Sequence, residues 1–273
     1  INTKAVPSER ILDFSFSSGY NSETSLSDGL LYDGGSDDDL GYDDGTRDFP
    51  SFVQRAINNN QKLDRSNFKT YELANAGREF ENSRLWVIQE GDVPLDNSVS
   101  FTYGDELDIG IEDILDDESA TIGILLTAGI KSSWETQEGI RQTGDIQGQG
   151  DGTSIVIRGN DKTFKSTSNN VTTYLMAVAG IETDTAELKY TGMYIHKGTK
   201  EARTLQGYDT SDSGNVREDF TEFFERELTN HQLNYNYIFQ NDMELDVRLA
   251  GGDASRYAPY ERVVFYEDTD DRG

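Results

Sequence analysis

The chain has 273 residues, enough for one large or two ordinary domains, and its 51 acidic against 24 basic residues leave a net charge of −27. A field of that sign repels phosphate backbones and sets nucleic acid aside as a partner; the absence of cysteine excludes a disulfide framework, thiolate catalysis and cysteine-held metal. Apolar residues reach only 34%, yet aromatics reach 11%, a share that acidic disordered chains do not carry, so the chain folds around an interior that is partly polar.

In chain order, Ile1 stands where an initiator Met would, and the opening is polar from its second residue, which reads as the interior of a longer protein. In "LDFSFSSGY", Leu12, Phe14, Phe16 and Tyr20 alternate with Asp13, Ser15 and Ser17, the signature of a half-buried strand. A long polar connection over residues 21–96 follows, in which 52–63 and 72–83 are expected to form short helices. "NSVSFTYG" alternates again, with Val99, Phe101 and Tyr103 on one side. Thr121 to Trp134 is nearly continuous in its apolar part, and Val171 to Ala179 is mixed. Three cleaner segments complete the set. Leu188, Tyr190 and Tyr194 share one side, then Leu233, Tyr235, Tyr237 and Phe239, then Met243, Leu245, Val247 and Leu249.

About seven strands result. Gly180–Thr185 and Gln240–Met243 are tight turns, whereas 21–96, 135–170 and 205–220 are expected as long polar loops, with 145–170 a mobile one rich in Gly, Asp and Ser. The Asp105–Ser119 connection is longer than a minimal turn. The longest nearly apolar run, Ala120 to Ile130, is too short for a spanning helix of roughly 20 residues. A spanning strand needs only about 9–11.

Two architectures fit that pattern. One is a soluble antiparallel sandwich, its apolar faces packed together. The other is a wall of a membrane barrel, short turns on one rim and long loops on the other. Tyr103, Tyr174, Tyr190, Tyr194, Tyr235 and Tyr237 are assigned to the apolar faces, several near strand ends, as aromatic girdles at a bilayer interface require. The polar faces carry both signs of charge, as in Glu187, Lys189, Asp246 and Arg248, which suits a wet lumen.

Longer motifs favour the barrel. "INTKAVP", "DFSFSSGYNSET" and "YDGGSDDDLGYDDGTRDFP" resemble, in that order, the junction of plug and barrel in TonB-dependent outer-membrane receptors. The block Gly41, Tyr42, Asp43, Asp44, Gly45, Thr46, Arg47 matches a Gly-Tyr/Phe-Asp-Asp-Gly-Thr-Arg pattern of one large subgroup. "ELANAGREFENSRLW" and "SVSFTYGDEL" look like the loop and second strand of that subgroup, and Ser255, Arg256, Pro259, Tyr260 and Glu261 match the end of a later hairpin. The resemblance implies an all-β fold, a partial antiparallel transmembrane β-barrel with short periplasmic turns and long extracellular loops. Residues 1–8 would be the last plug strand and its junction, and 9–273 the N-terminal portion of a barrel of about 22 strands. It further implies a non-enzymatic, cofactor-free part of an outer-membrane active transporter in a Gram-negative bacterium. Its partners would be TonB, ExbB and ExbD through a plug absent from this chain, membrane lipid and lipopolysaccharide, and a scarce imported solute. That solute belongs to the siderophore, glycan, cobalamin or peptide class. The alternative is a secreted acidic β-sandwich, an adhesin or glycan-binding module.

Candidate site residues are few. Asp37, Asp39, Asp43 and Asp44, with Asp38, offer oxygen ligands to a hard cation. The calcium-loop register fails, because setting Gly45 at its glycine position puts Leu40 where an Asp is needed. A turn-rich mouth loop whose Arg47 pairs with neighbouring carboxylates fits better. As a group, the acidic loops are also candidates for divalent cations that bridge lipopolysaccharide. Trp86 and Trp134 are candidates for stacking on a solute or for interfacial anchoring. His196 and His231 are read as lone strand or rim histidines, and no nucleophile elbow or phosphate-cradling motif is present.

Overall fold

A computed structural model describes residues 9–82, 84–110, 119–148, 154–211 and 214–267. It is mostly antiparallel β-sheet. Strands β1 (Ile11–Gly19), β4 (Asp96–Gly110), β5 (Ser119–Gly148), β6 (Ser154–Glu182), β7 (Ala186–Asp209), β8 (Gly214–Ile238) and β9 (Glu244–Glu267) form one seven-stranded sheet in that order. Apart from the insertion between β1 and β4, each strand pairs with its neighbours in sequence. That insertion holds β2 (Asp28–Tyr32), α1 (Ser51–Asn58), α2 (Thr70–Asn82) and β3 (Ile88–Asp92), and β2 pairs with β3. Residues 1–8, expected as the plug junction, lie outside the described residues, as does 111–118 of the expected Asp105–Ser119 connection.

Alternation sets the faces. Residues in register across an antiparallel ladder share a face, so Phe14, Phe101, Ala128, Leu175 and Tyr194 form one row. Leu107, Ile122, Ile181, Leu188, Tyr235 and Val247 form another on the same side. The opposite face carries Lys189, Asn234 and Arg248 in register. The apolar rows are uncovered. Phe14 is 71% exposed, Leu175 48% and Leu249 61%, and Phe16, Leu126, Leu188 and Leu233 are exposed too. From Ile122 to Ile130 on β5 this band runs about 27 Å along the strand. Tyr174 is an exception to the expected girdle. Its register with Gly129 and Ile195 puts it on the polar face, where its ring fills the space above Gly129.

The strands do not stop where the band stops. β5 to β9 run 24 to 30 residues, against about 3–10 in ordinary globular sheets. Most of the segments expected as loops at 135–170 and 205–220 are therefore strand, including 154–170 of the supposed mobile loop. Here polar residues fall on both faces of β5 to β7 with apolar ones scattered among them, so period two fades while the ladder hydrogen bonds continue. Ion pairs tie this upper half: Lys162 Nζ lies 2.7 Å from Asp209 and 2.5 Å from Glu218, joining β6, β7 and β8. Of the connections on that rim only 20–95 is long; 149–153 and 210–213 are short. The opposite rim has tight turns at 183–185 and 239–243 as expected.

The long connection folds as a cap. α1 buries Val53 and Ala56 one turn apart, and Glu72 accepts the Lys69 backbone N–H (2.8 Å) at the start of α2. The β2–β3 hairpin lies against the upper half of the sheet, on the same face as the band. Leu30 N–H donates to Thr167 Oγ1 (2.9 Å) and Tyr32 Oη–H to the Glu222 carbonyl (2.7 Å). Leu30, Tyr32 and Leu85 pack with Ala202, Phe223 and Tyr260 into a small core. One irregularity makes that core possible. Between the pairs Phe223–Tyr260 and Glu225–Tyr257, β8 has one residue and β9 has two, Ala258 and Pro259. The bulge returns Tyr260 to the cap side and gives Pro259, which has no N–H to offer a ladder, a place.

Candidate functional site

The acidic block is the centre of the cap. The Arg47 side chain is fully buried, with its guanidinium 2.6 Å from Asp38, 3.1 Å from Asp43 and 4.0 Å above the centre of the Phe223 ring. Lys200 from β7 approaches Asp38 (2.8 Å) and lies over the Tyr32 ring. Two cations thus face two carboxylates in a largely buried site, the arrangement that makes a buried charge tolerable. Burial pulls the Arg47 pKa down, but the hydrogen bonds to Asp38 and Asp43 and the Asp38 charge outweigh it and hold it above its ordinary value. Burial also pushes the Tyr32 hydroxyl well above the usual phenol range, so it stays a donor.

Next to this pair Tyr42 stacks on His196, ring centroids 3.7 Å apart and nearly parallel. His196 Nε2 lies 2.9 Å from Glu225 Oε2, and the other oxygen of Glu225 accepts the Asp43 backbone N–H at 2.7 Å. One glutamate of β8 therefore holds both the strand histidine and the cap backbone. Glycines allow the approach. Gly41 has φ 83°, and its backbone lies directly on Gly198 of β7. A methyl at Gly198 would run into the Gly41 carbonyl. Gly198→Ala is expected to weaken cap docking by about 1–3 kcal/mol, seen as faster amide exchange over residues 33–49 with the lower strands unchanged.

Each candidate residue has a place. Asp43 faces Arg47. Asp44 accepts from Thr46 N–H, Ser36 N–H and Ser36 Oγ–H; those bonds, Thr46 foremost, hold its carboxyl well below the usual range. Asp37 and Asp39 are exposed, and Asp37 supplies its carbonyl to Leu40 and Tyr42 N–H in a tight turn. Among the described residues no group of three or more His, Cys, Asp or Glu is arranged to hold a metal ion. Trp86 is half-buried in the cap beside the core residue Leu85, and Trp134 is half-buried on β5, its backbone N–H donating to Asp96 Oδ1 (2.8 Å). No protein family, curated protein or solved structure matches the chain. The geometry has to carry the functional argument.

His196 is the main residue that sequence reasoning missed. Its face was legible, because it alternates with Tyr194, Gly198 and Lys200, but no spacing signals a stacking partner 154 positions earlier. His231, read as a lone histidine, has its Nδ1 2.7 Å from the Tyr190 hydroxyl. Beside the clamp, an open groove of about 480 Å³ runs between the hairpin and the sheet, bordered by Leu30, Ile88, Ile140 and Gln206. Both of its cations already have partners: Lys165 pairs with Glu138 (2.9 Å), and Arg217 with Asp219 through two bonds of 2.8 and 2.9 Å.

Proposed function

We propose that this chain is part of the wall and the first outer loop of an outer-membrane active transporter of the TonB-dependent kind. The observation that supports it most is the uncovered apolar band. An aqueous sheet with one greasy face buries that face against a second layer, yet the hairpin that covers this face lies above the band and leaves the band itself bare. Lipid covers it in the proposed setting. Strand length fits the same setting, since a crossing needs about 9–11 residues and the remainder would stand above the membrane, partly covered by the cap. The same setting would require partners for the free edges of β1 and β9, as in a closed barrel, because unpaired backbone groups are costly in hydrocarbon. The block Gly41 to Arg47 matches the receptor pattern and is here the structural heart of the cap.

In this proposal the cap stands on the outward face of the wall, above the membrane, and a TonB-energised plug opens the path for a scarce solute. The sandwich alternative needs a second sheet over Leu126, Leu175 and Leu249, and among the described residues none lies there. The test is energised uptake in cells. With the intact protein in the outer membrane, deleting TonB should abolish accumulation of the solute while leaving surface binding. Recovery of the protein as a detergent-free soluble monomer would overturn the proposal.

A further inference from the structure

On the face opposite the cap, the ladder places three glutamates side by side. Glu201 of β7 is in register with Glu222 of β8, and Glu222 with Glu261 of β9. Like charges directly opposite each other in a sheet repel. We propose that Glu222 and Glu201 share one proton across the strand pair, and that loss of this proton loosens the cap, making the row a pH-sensitive latch. The latch rests on the register and the cap contacts alone and holds whether or not the lower band faces lipid.

The surroundings favour a shared proton over two separate charges. Glu222 is half-buried and sits between Phe220 and Phe224, its neighbours on the same face of β8. Its counter-charge is small. Arg203 of β7 lies over the Phe220 ring (4.4 Å) and 3.5 Å from Glu201. β6 contributes the neutral Ser166, whose hydroxyl donates to Glu201 at 2.9 Å, and Ser168. Beyond Ser168 in the same row is Glu135 of β5, another carboxylate. Arg226 and Arg256 are on the far side of Phe224 and stack on its ring. In this row of four carboxylates Arg203 serves Glu201 at 3.5 Å and pulls on Glu222 beside it, while Glu135 accepts from the Gln137 amide at 2.6 Å. Burial first, then the charges of Glu201 and Glu261 and the hydrogen bond with Glu201, hold the Glu222 carboxyl above the usual glutamate range against the pull of Arg203.

The same segment of β8 holds the cap. The Glu222 carbonyl accepts the Tyr32 hydroxyl, and its neighbours Thr221 and Phe223 are buried on the cap side, Thr221 bonded to Tyr260. Repulsion between Glu222 and Glu201 pushes β7 and β8 apart at the rung where the cap is seated. The sign follows from proton linkage. The folded state keeps a proton that the unfolded chain has already released. Stability is therefore full below the ordinary glutamate range and falls as pH rises through the raised value.

The test uses the full-length protein in detergent, as wild type and as Glu222→Gln, Glu201→Gln and Glu261→Gln. Infrared titration should show a protonated-carboxyl band in the wild type that persists above the pH at which ordinary glutamates ionise. The band should vanish in Glu222→Gln and titrate at lower pH in Glu201→Gln. In Glu261→Gln, which removes only the outer neighbour, it should move less in the same direction. Protease cleavage of the cap should be roughly three- to tenfold slower in Glu222→Gln than in wild type at alkaline pH, and equal at acid pH. An identical titration in wild type and Glu222→Gln would overturn the shared proton. A titrating band with equal cleavage at alkaline pH would overturn the latch.

Discussion

Replacing Arg47 with Met is expected to undock the cap while leaving the long strands paired. The substitution keeps an unbranched apolar stem and removes the guanidinium with its charge, so Asp43 and Asp38, whose side chains are only 5% and 11% exposed, lose their main partner. Removing one member of a buried ion pair costs about 3–5 kcal/mol, most of it the penalty of the charge left behind. Lys200 still reaches Asp38 at 2.8 Å, so Asp43 bears most of the loss. Adding Asp43→Asn to Arg47→Met should therefore recover part of the stability, because it removes the stranded charge. Arg47→Lys should not recover it. An ammonium lacks the planar fork that meets Asp38 and Asp43 together and stacks on Phe223. Hydrogen exchange over residues 28–49, with β5 to β7 as internal reference, reads all three variants. Unchanged protection in Arg47→Met would mean that the clamp is not what holds the cap.

A charge placed in the apolar band is expected to oppose membrane insertion. Leu126→Arg and Leu175→Arg sit mid-band on adjacent strands, and a basic residue at the bilayer midplane of a barrel costs about 2–4 kcal/mol. Ile140→Arg is the matched control. Ile140 lies on the same face of β5 but above the band and is already 66% exposed, so that change should be neutral. Urea titrations of folding into lipid vesicles measure the difference. If the three variants fold alike, the band is not a lipid surface.

The apolar half of the sheet was legible in the sequence and the polar half was not, for one physical reason. Side-chain alternation is visible only where one face meets an apolar medium. Leu233 to Phe239 and Met243 to Leu249 announce their strands, whereas the Asn169, Thr167 and Lys165 stretch of β6 pairs just as fully and leaves no such mark. Tyr174 was assigned to the greasy side because it is aromatic, and it fills the space above Gly129 on the other. The hairpin was invisible for a different reason. "DGLLY" and "IQEGD" have no periodicity of their own and meet across an insertion carrying both helices. The pairing of Arg47 with nearby carboxylates was readable, since a lone cation among acids has few alternatives. Its seat on Phe223, and the sharing of Asp38 with Lys200, were not, because those residues come from strands more than 150 positions away.

The two-against-one step at Ala258 and Pro259 divides strand β9 into two segments of opposite phase. Below it odd-numbered residues such as Leu249 share the side of the band; above it the even-numbered Tyr260 does. Insertions or deletions on one side of that step are absorbed there without turning the side chains of the other inside out. The exposed apolar portion and the capped portion of the sheet can therefore diverge separately, and the cap's seat is free to be remodelled without changing which side chains the apolar face presents.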